Sequence, residues 1–185
     1  MHTALPPALQ NLIERSTAIV LVKGELLLQP GLPVDRLWMI ERGLLRRYSL
    51  GEDGSEFTHD FVGPGRWVCG ALQMSEGSVC CARTSLAIEA LQVSTVRALR
   101  LSELNSLSQR DAASAAYLFQ QSLQHGSDRL EREAGLAHAS AESRYLGLLA
   151  AQPGIESTLS QKQIAAWLGI TPVALSRIRR RRAAG

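Results

Sequence analysis

Apolar and polar positions along the chain follow two regimes that meet near residue 100. Residues 7–15 form a short amphipathic helical pattern with Leu9, Leu12 and Ile13 on one side. Apolar residues then gather in brief runs at 18–22, 25–28, 37–40, 43–49, 56–61, 86–90 and 93–99, divided by Lys23-Gly24, Pro30-Gly31, Arg42-Gly43, residues 51–54 and residues 63–65. Many short strands spaced by about 8–12 residues, with turn residues between them, predict a β-sandwich or barrel. From Ser102 onward helical residues take over. A short capped helix is expected at 102–107, one long helix at 111–139 and another helix at 143–150.

In the long helix Ala116, Phe119, Leu123, Gly126, Leu130 and Ala134 or Ala137 recur three and four apart. This is a heptad-like seam of about three repeats with small residues that permit close approach, on a helix longer than a small barrel can cover. Two copies are expected to pair along it.

The C-terminal stretch reads as two short helices around a sharp turn. Ser160 and Gln163 fit a capping box, and Ile164, Ala165 and Leu168 supply a buried face. Gly169 suits the left-handed conformation that ends a helix, Thr171 is a good N-cap, and Pro172 sits at the first helical position, where its missing N–H is harmless. On the second helix Leu175 and Ile178 point one way, while Val173, Ser176, Arg177 and Arg180 point the other. That is the layout of a helix-turn-helix whose second helix enters a major groove. Val173, Ser176 and Arg177 are the candidate base contacts, Arg177 toward guanine O6 and N7 and Val173 toward a thymine methyl. Arg179 and Arg180, with Arg181 and Arg182, are expected on phosphates. Ser160, Gln161 and Thr171, at the two helix starts, complete the set. The competing reading is a plain helical hairpin with a solvated basic tail.

Charge sharpens this picture. The net charge of the 185-residue chain is only +3, but residues 156–185 hold six basic and one acidic side chain, a net +5, against −2 for the rest. A basic module on a near-neutral body fits a polyanion partner. No apolar run approaches the length of a membrane span, and the start of the chain lacks the pattern of a signal peptide, so a cytoplasmic location is expected. Cys69, Cys80 and Cys81 are odd in number and do not suggest a disulfide framework.

Taken in order, these parts resemble the cyclic-AMP receptor protein and fumarate-nitrate regulator (Crp/Fnr) family of bacterial transcription factors. The resemblance rests on Lys23-Gly24-Glu25, Gln29-Pro30-Gly31, residues 37–43, Glu52-Asp53-Gly54, residues 63–65, the long helix, Leu168-Gly169 and Ser176-Arg177-Ile178. It implies an α+β chain: an N-terminal double-stranded β-helix, a cyclic-nucleotide-binding-like jelly roll, as effector domain (1–107); a dimerisation helix (108–139); and a helix-turn-helix DNA-binding domain (140–185). It also implies a homodimer on a roughly palindromic double-stranded operator, with RNA polymerase as a further partner. Many relatives of this kind continue beyond the second helix into a β-hairpin wing or another stabilising element; with Gly185 as the last residue given, either a lower affinity or a head that leans more on the long helix is expected.

The segment matching the family's cyclic-nucleotide cassette departs from it. Gly70, Ala71 and Leu72 stand where a Gly-Glu-Leu is usual, and Cys80, Cys81 and Ala82 where an Arg-Ser-Ala is usual. Ala71 cannot accept from a ribose hydroxyl, and Cys80 cannot neutralise a phosphate, a loss of a few kcal/mol. Cyclic AMP held by the usual cassette is therefore not expected, unless Arg83 substitutes through a shift of register. A thiol redox switch or haem ligation at the cysteines stays open beside the plainer reading of small buried hydrophobes. A cupin-type metal enzyme would need clustered histidines, and His59 stands alone in the barrel region, with Asp60 beside it read as its strand-edge partner. An adaptor that keeps this scaffold without DNA function is the other alternative.

Overall fold

The computed structural model describes residues 4–70, 72–75, 78–81 and 83–183. Helix α1 (Pro7–Arg15) leads into ten strands: β1 (Thr17–Leu21), β2 (Leu26–Leu28), β3 (Arg36–Arg42), β4 (Leu45–Leu50), β5 (Glu56–Val62), β6 (Trp67–Val68), β7 (Leu72–Ser75), β8 (Ser78–Cys81), β9 (Leu86–Ala90) and β10 (Ser94–Arg100). Helices α2 (Leu101–Arg110), α3 (Ala112–His138), α4 (Ala141–Ala151), α5 (Ile155–Thr158), α6 (Gln161–Leu168) and α7 (Pro172–Ala183) follow.

The strands form two antiparallel four-stranded sheets, ordered β1-β10-β3-β6 and β2-β9-β4-β5, with β7-β8 as a separate hairpin. First strands therefore pair with last ones, the winding of a jelly roll. Alternation puts Leu28, Trp38, Ile40, Leu45, Val62, Val68, Ile88 and Val96 between the sheets as the barrel core. Gly43 (φ +98) lets the β3–β4 turn close on Ser94, since a Cβ there would lie 2.1 Å from the Ser94 hydroxyl. On the outer face α1 and α2 bury Leu9, Ile13, Leu101, Leu104 and Leu107 against Leu99 and Tyr117.

The seven strands expected from apolar runs are present with shifted ends. Strand β6 and the β7–β8 hairpin add to them, because a two-residue strand and a mixed polar hairpin carry no period-two signal. The long helix begins at Ala112, with the Asp111 side chain accepting from the Ser114 amide, and runs to His138. The short α5 follows Gly154, and its four residues are too few to carry a helical period.

A third core gathers Tyr145, Leu148, Ile155, Leu159, Ile164, Leu168, Leu175 and Ile178 from α4 to α7. Leu91, 1 % exposed, belongs to this cluster, and Leu44 and Phe61 pack against it, so the helical head and the barrel share apolar contacts.

Candidate nucleic-acid interface

The head's two helices are built by the local chemistry read from the sequence. Ser160 and Gln163 form a reciprocal capping box at the start of α6, and Gly169 (φ 67) ends it in the left-handed conformation. Thr171 Oγ1 accepts from the Ala174 amide at 3.2 Å and opens α7. Caps of this kind are each worth about 1 kcal/mol. Leu175 and Ile178 are buried against Ile164 and Leu168, which leaves Val173, Arg177 and Arg180 in solvent. Val173 is 62 % exposed.

Gln161 and Ser176 join the two helices. Gln161 Nε2 donates to the Pro172 carbonyl at 2.7 Å and to Ser176 Oγ at 2.5 Å. Ser176 thus accepts from within the head, and its hydroxyl donates no hydrogen bond among the described residues. Ser160 and Thr171 serve as caps.

The arginines of α7 divide. Arg177 and Arg180 make no hydrogen bond or ion pair with the described residues, whereas Arg179, expected on a phosphate, is engaged inside the head in the free protein. Its guanidinium donates to Glu156 at 2.6 Å and to the Tyr145 hydroxyl at 3.0 Å, because it lies on the inward flank of α7 above α4 and α5. The Tyr145 hydroxyl in turn donates to Glu156. That hydrogen bond leads the effects holding the Glu156 carboxyl below its usual range, ahead of the nearby Arg179 charge. Arg181 pairs with Glu142 at 3.3 Å and Arg182 lies over the Tyr145 ring; both are exposed.

Arg132 and Arg144 tie the head to the rest of the molecule. Arg132, on α3, donates to the Thr58 carbonyl of β5 at 2.7 Å and to the Trp167 carbonyl of α6 at 2.6 Å, with its guanidinium 4.4 Å from the Trp167 ring. Burial lowers its pKa to about 10, so it stays charged at neutral pH. Arg144 donates to the Leu168 carbonyl at 2.7 Å and to the Ala139 carbonyl. Two cations therefore meet the free carbonyls at the end of α6, where the helix dipole favours them. Phe61 of β5 stacks on Trp167 at 6.3 Å. A cleft of about 700 Å³ lies between these parts, walled by His59, Phe61, His125, Arg132, Arg144 and Trp167.

On the effector side, Arg83 does not turn inward. It is exposed and donates to the Gly31 carbonyl at 2.8 Å, so the substitution considered for it is not made. Gly70 packs so closely on Val34, Leu28 and Thr84 that a Cβ would fall under 3 Å from the first two. Leu72 pairs with Cys81 across the β7–β8 hairpin; Ala71 and Ala82, and the side chains of Leu72, Cys80 and Cys81, lie outside the described residues. A cation that does reach the barrel interior is Arg47, 7 % exposed, which apolar patterning hid inside a strand. It grips Asp60 through two hydrogen bonds of 2.7 and 3.2 Å and donates to the Cys69 carbonyl. It also lies 2.8 Å from His125 Nε2 on α3. A guanidinium only donates, so His125 accepts as the neutral Nδ1–H tautomer. Burial first, and Arg47 second, hold its pKa below the ordinary value. Asp60 is thus Arg47's partner rather than one half of a pair with His59, which meets Ser49 at 3.0 Å. Cys69 is a free thiol whose pKa burial pushes up, away from the reactive thiolate. Among the described residues no three His, Cys, Asp or Glu side chains converge as a metal site.

The jelly roll, long helix and two-helix head together define the fold of Crp/Fnr-type regulators. The chain belongs to the cyclic nucleotide-binding domain family, whose model matches residues 18–111. Among solved structures it is similar to FixK2 from Bradyrhizobium japonicum, at 20 % identity over 91 % of this chain and 85 % of that one (TM-score 0.76). A protein from Eubacterium rectale described as a transcriptional regulator of the Crp/Fnr family is 18 % identical over 97 % and 84 % (TM-score 0.72). The c-di-GMP responsive global regulator CLP from Xanthomonas campestris is 14 % identical over 96 % and 91 % (TM-score 0.69). No curated protein sequence matches. Among the described residues no helix is long and apolar enough to cross a membrane.

Proposed function

We propose that this chain is a homodimeric, sequence-specific DNA-binding transcription regulator. The observation that carries the reading is the split of α7: its apolar residues hold the head together, while Val173, Arg177 and Arg180 stand free at the surface with Ser176 beside them. Val173, Ser176 and Arg177 read base edges; Arg180, Arg181 and the helix starts at Ser160, Gln161 and Thr171 face the phosphates.

Dimerisation runs along α3, within the division into barrel (1–107), dimer helix (108–139) and head (140–185). In the single chain Phe119, Leu123 and Leu130 are 63, 56 and 68 % exposed, and Ala116, Gly126, Ala134 and Ala137 are bare beside them. A stripe of this size in water favours a matching stripe on a second copy. The barrel then acts on the two heads through α3, Arg132 and Arg144, and the effector is not a cyclic nucleotide held by the usual cassette. Related structures share the fold, and one of them is described as a transcriptional regulator of the Crp/Fnr family, which supports the reading.

Gel-shift assays on genomic fragments at two salt concentrations test it. Retarded bands that weaken steeply with salt are expected, as for any interface that neutralises phosphates. A protein that retards no fragment at low salt would be the adaptor instead, and a monomer by light scattering at micromolar concentration would remove the dimer.

A further inference from the structure

Lys162, in the first turn of α6, places its ammonium 2.7 Å from Oε1 of Glu56, the first residue of β5. The other oxygen of that carboxylate is 2.6 Å from Arg46, which is also 2.6 Å from Glu89 and packs over the Tyr48 ring. The four charges cancel, but they are unequally placed. Arg46 and Glu56 are 6 and 16 % exposed, while Lys162 is 68 % exposed. The barrel members are fixed, and Lys162 is the one free to leave.

Its position on the head bears on DNA. The preceding residue, Gln161, bonds to Pro172 and Ser176 at the start of the reading helix, so Lys162 is one residue from the contact that joins α6 to the base-reading surface. In helix-turn-helix docking the first helix crosses the phosphate backbone. The turn before Glu56 adds two exposed acidic residues, Glu52 and Asp53.

We infer that Lys162 is a DNA-phosphate contact which the barrel's Glu56 occupies in the free protein, so that duplex binding exchanges a carboxylate for a phosphate. The inference rests on the DNA-binding reading above. Hydrogen bonds from Lys162 and Arg46 outweigh the opposing burial and hold the Glu56 carboxyl below its usual range, so the competitor is charged at neutral pH. When Lys162 turns to a phosphate, Arg46 keeps Glu56 and Glu89 in place, and the barrel contact that Lys162 gives up is the one exposed ion pair.

Phosphate contacts are blind to sequence, so a random-sequence duplex of about 40 base pairs, followed by fluorescence anisotropy over a salt series, is the probe. Lys162→Ala should lower the slope of log affinity on log salt by about one, with a several-fold loss of affinity at low salt. Glu56→Gln, which still accepts from Arg46, should tighten binding about two- to fivefold, the scale of an exposed ion pair. In Glu56→Gln/Lys162→Ala that gain should vanish. An equal gain with and without Lys162, or an unchanged slope in Lys162→Ala, overturns the competition. Lys162→Ala changes an exposed side chain and keeps the test open if the Glu56 variant folds poorly. Wild-type protein that fails to bind duplex at all overturns the DNA reading as well, which separates the two failures.

Discussion

Arg46 and Arg47, neighbours in β4, are nearly buried and fully paired, whereas Arg177 and Arg180, three apart on α7, lie in solvent without a partner among the described residues. The barrel pair answers to carboxylates from its own sheet and to α3, because a buried cation without a partner costs several kcal/mol. The α7 pair has no such demand on it and can meet a ligand without breaking anything. The same side chain is structural in one place and available in the other, and only its neighbours tell which.

The comparison breaks if the barrel pair is dispensable. Arg47→Ala leaves Asp60 and His125 facing a gap and should cost about 3 kcal/mol in urea unfolding, toward the low end for a broken buried pair because Asp60 is partly solvated. Arg177→Ala should leave stability within about 0.5 kcal/mol. Leu123→Glu, on the exposed seam, should keep the fold but shift light scattering to the monomer and weaken DNA binding about 100-fold through lost bivalency. In binding, Arg177→Ala should cost about 1–3 kcal/mol at one base pair and relax sequence preference, while Arg181→Ala should weaken all duplexes alike. Equal losses on specific and random DNA in both variants would erase the distinction between base reading and charge.

The smallest effect concerns pH. His125 is held neutral when folded, with its pKa below the ordinary 6.5, so the unfolded chain binds the extra proton first. Its contribution to stability is complete above about pH 6.5 and falls away as the pH drops toward the folded value. Thermal unfolding midpoints followed downward from about pH 7.5 should show that decline, reduced in His125→Gln. His59, lowered by burial and by Arg47, acts in the same direction.

Much of the fold and of the head was legible. The capping box, Gly169, Thr171 and Pro172 act within four residues of themselves, so their reading did not depend on the rest of the chain. The same holds for the burial of Leu175 and Ile178 and the exposure of Val173 and Arg177, which follow from the helical period. Strand β6, with only two residues, and the β7–β8 hairpin were not legible. Nor were the partners of charged residues. Arg179 read like its three neighbours until Glu156, 23 positions away, was found beside it. Arg47 and His125 are 78 positions apart, and Lys162 and Glu56 are 106 apart.

The sequence by itself determined the long helices and the longer strands, which face of each is apolar, and where positive charge accumulates, since periodicity, capping and composition are local properties. Tertiary structure alone decided which charges are used up inside the molecule and which remain for a ligand. Coulomb attraction and hydrogen bonding act over a few ångströms of space, and the fold sets which distant positions come that close.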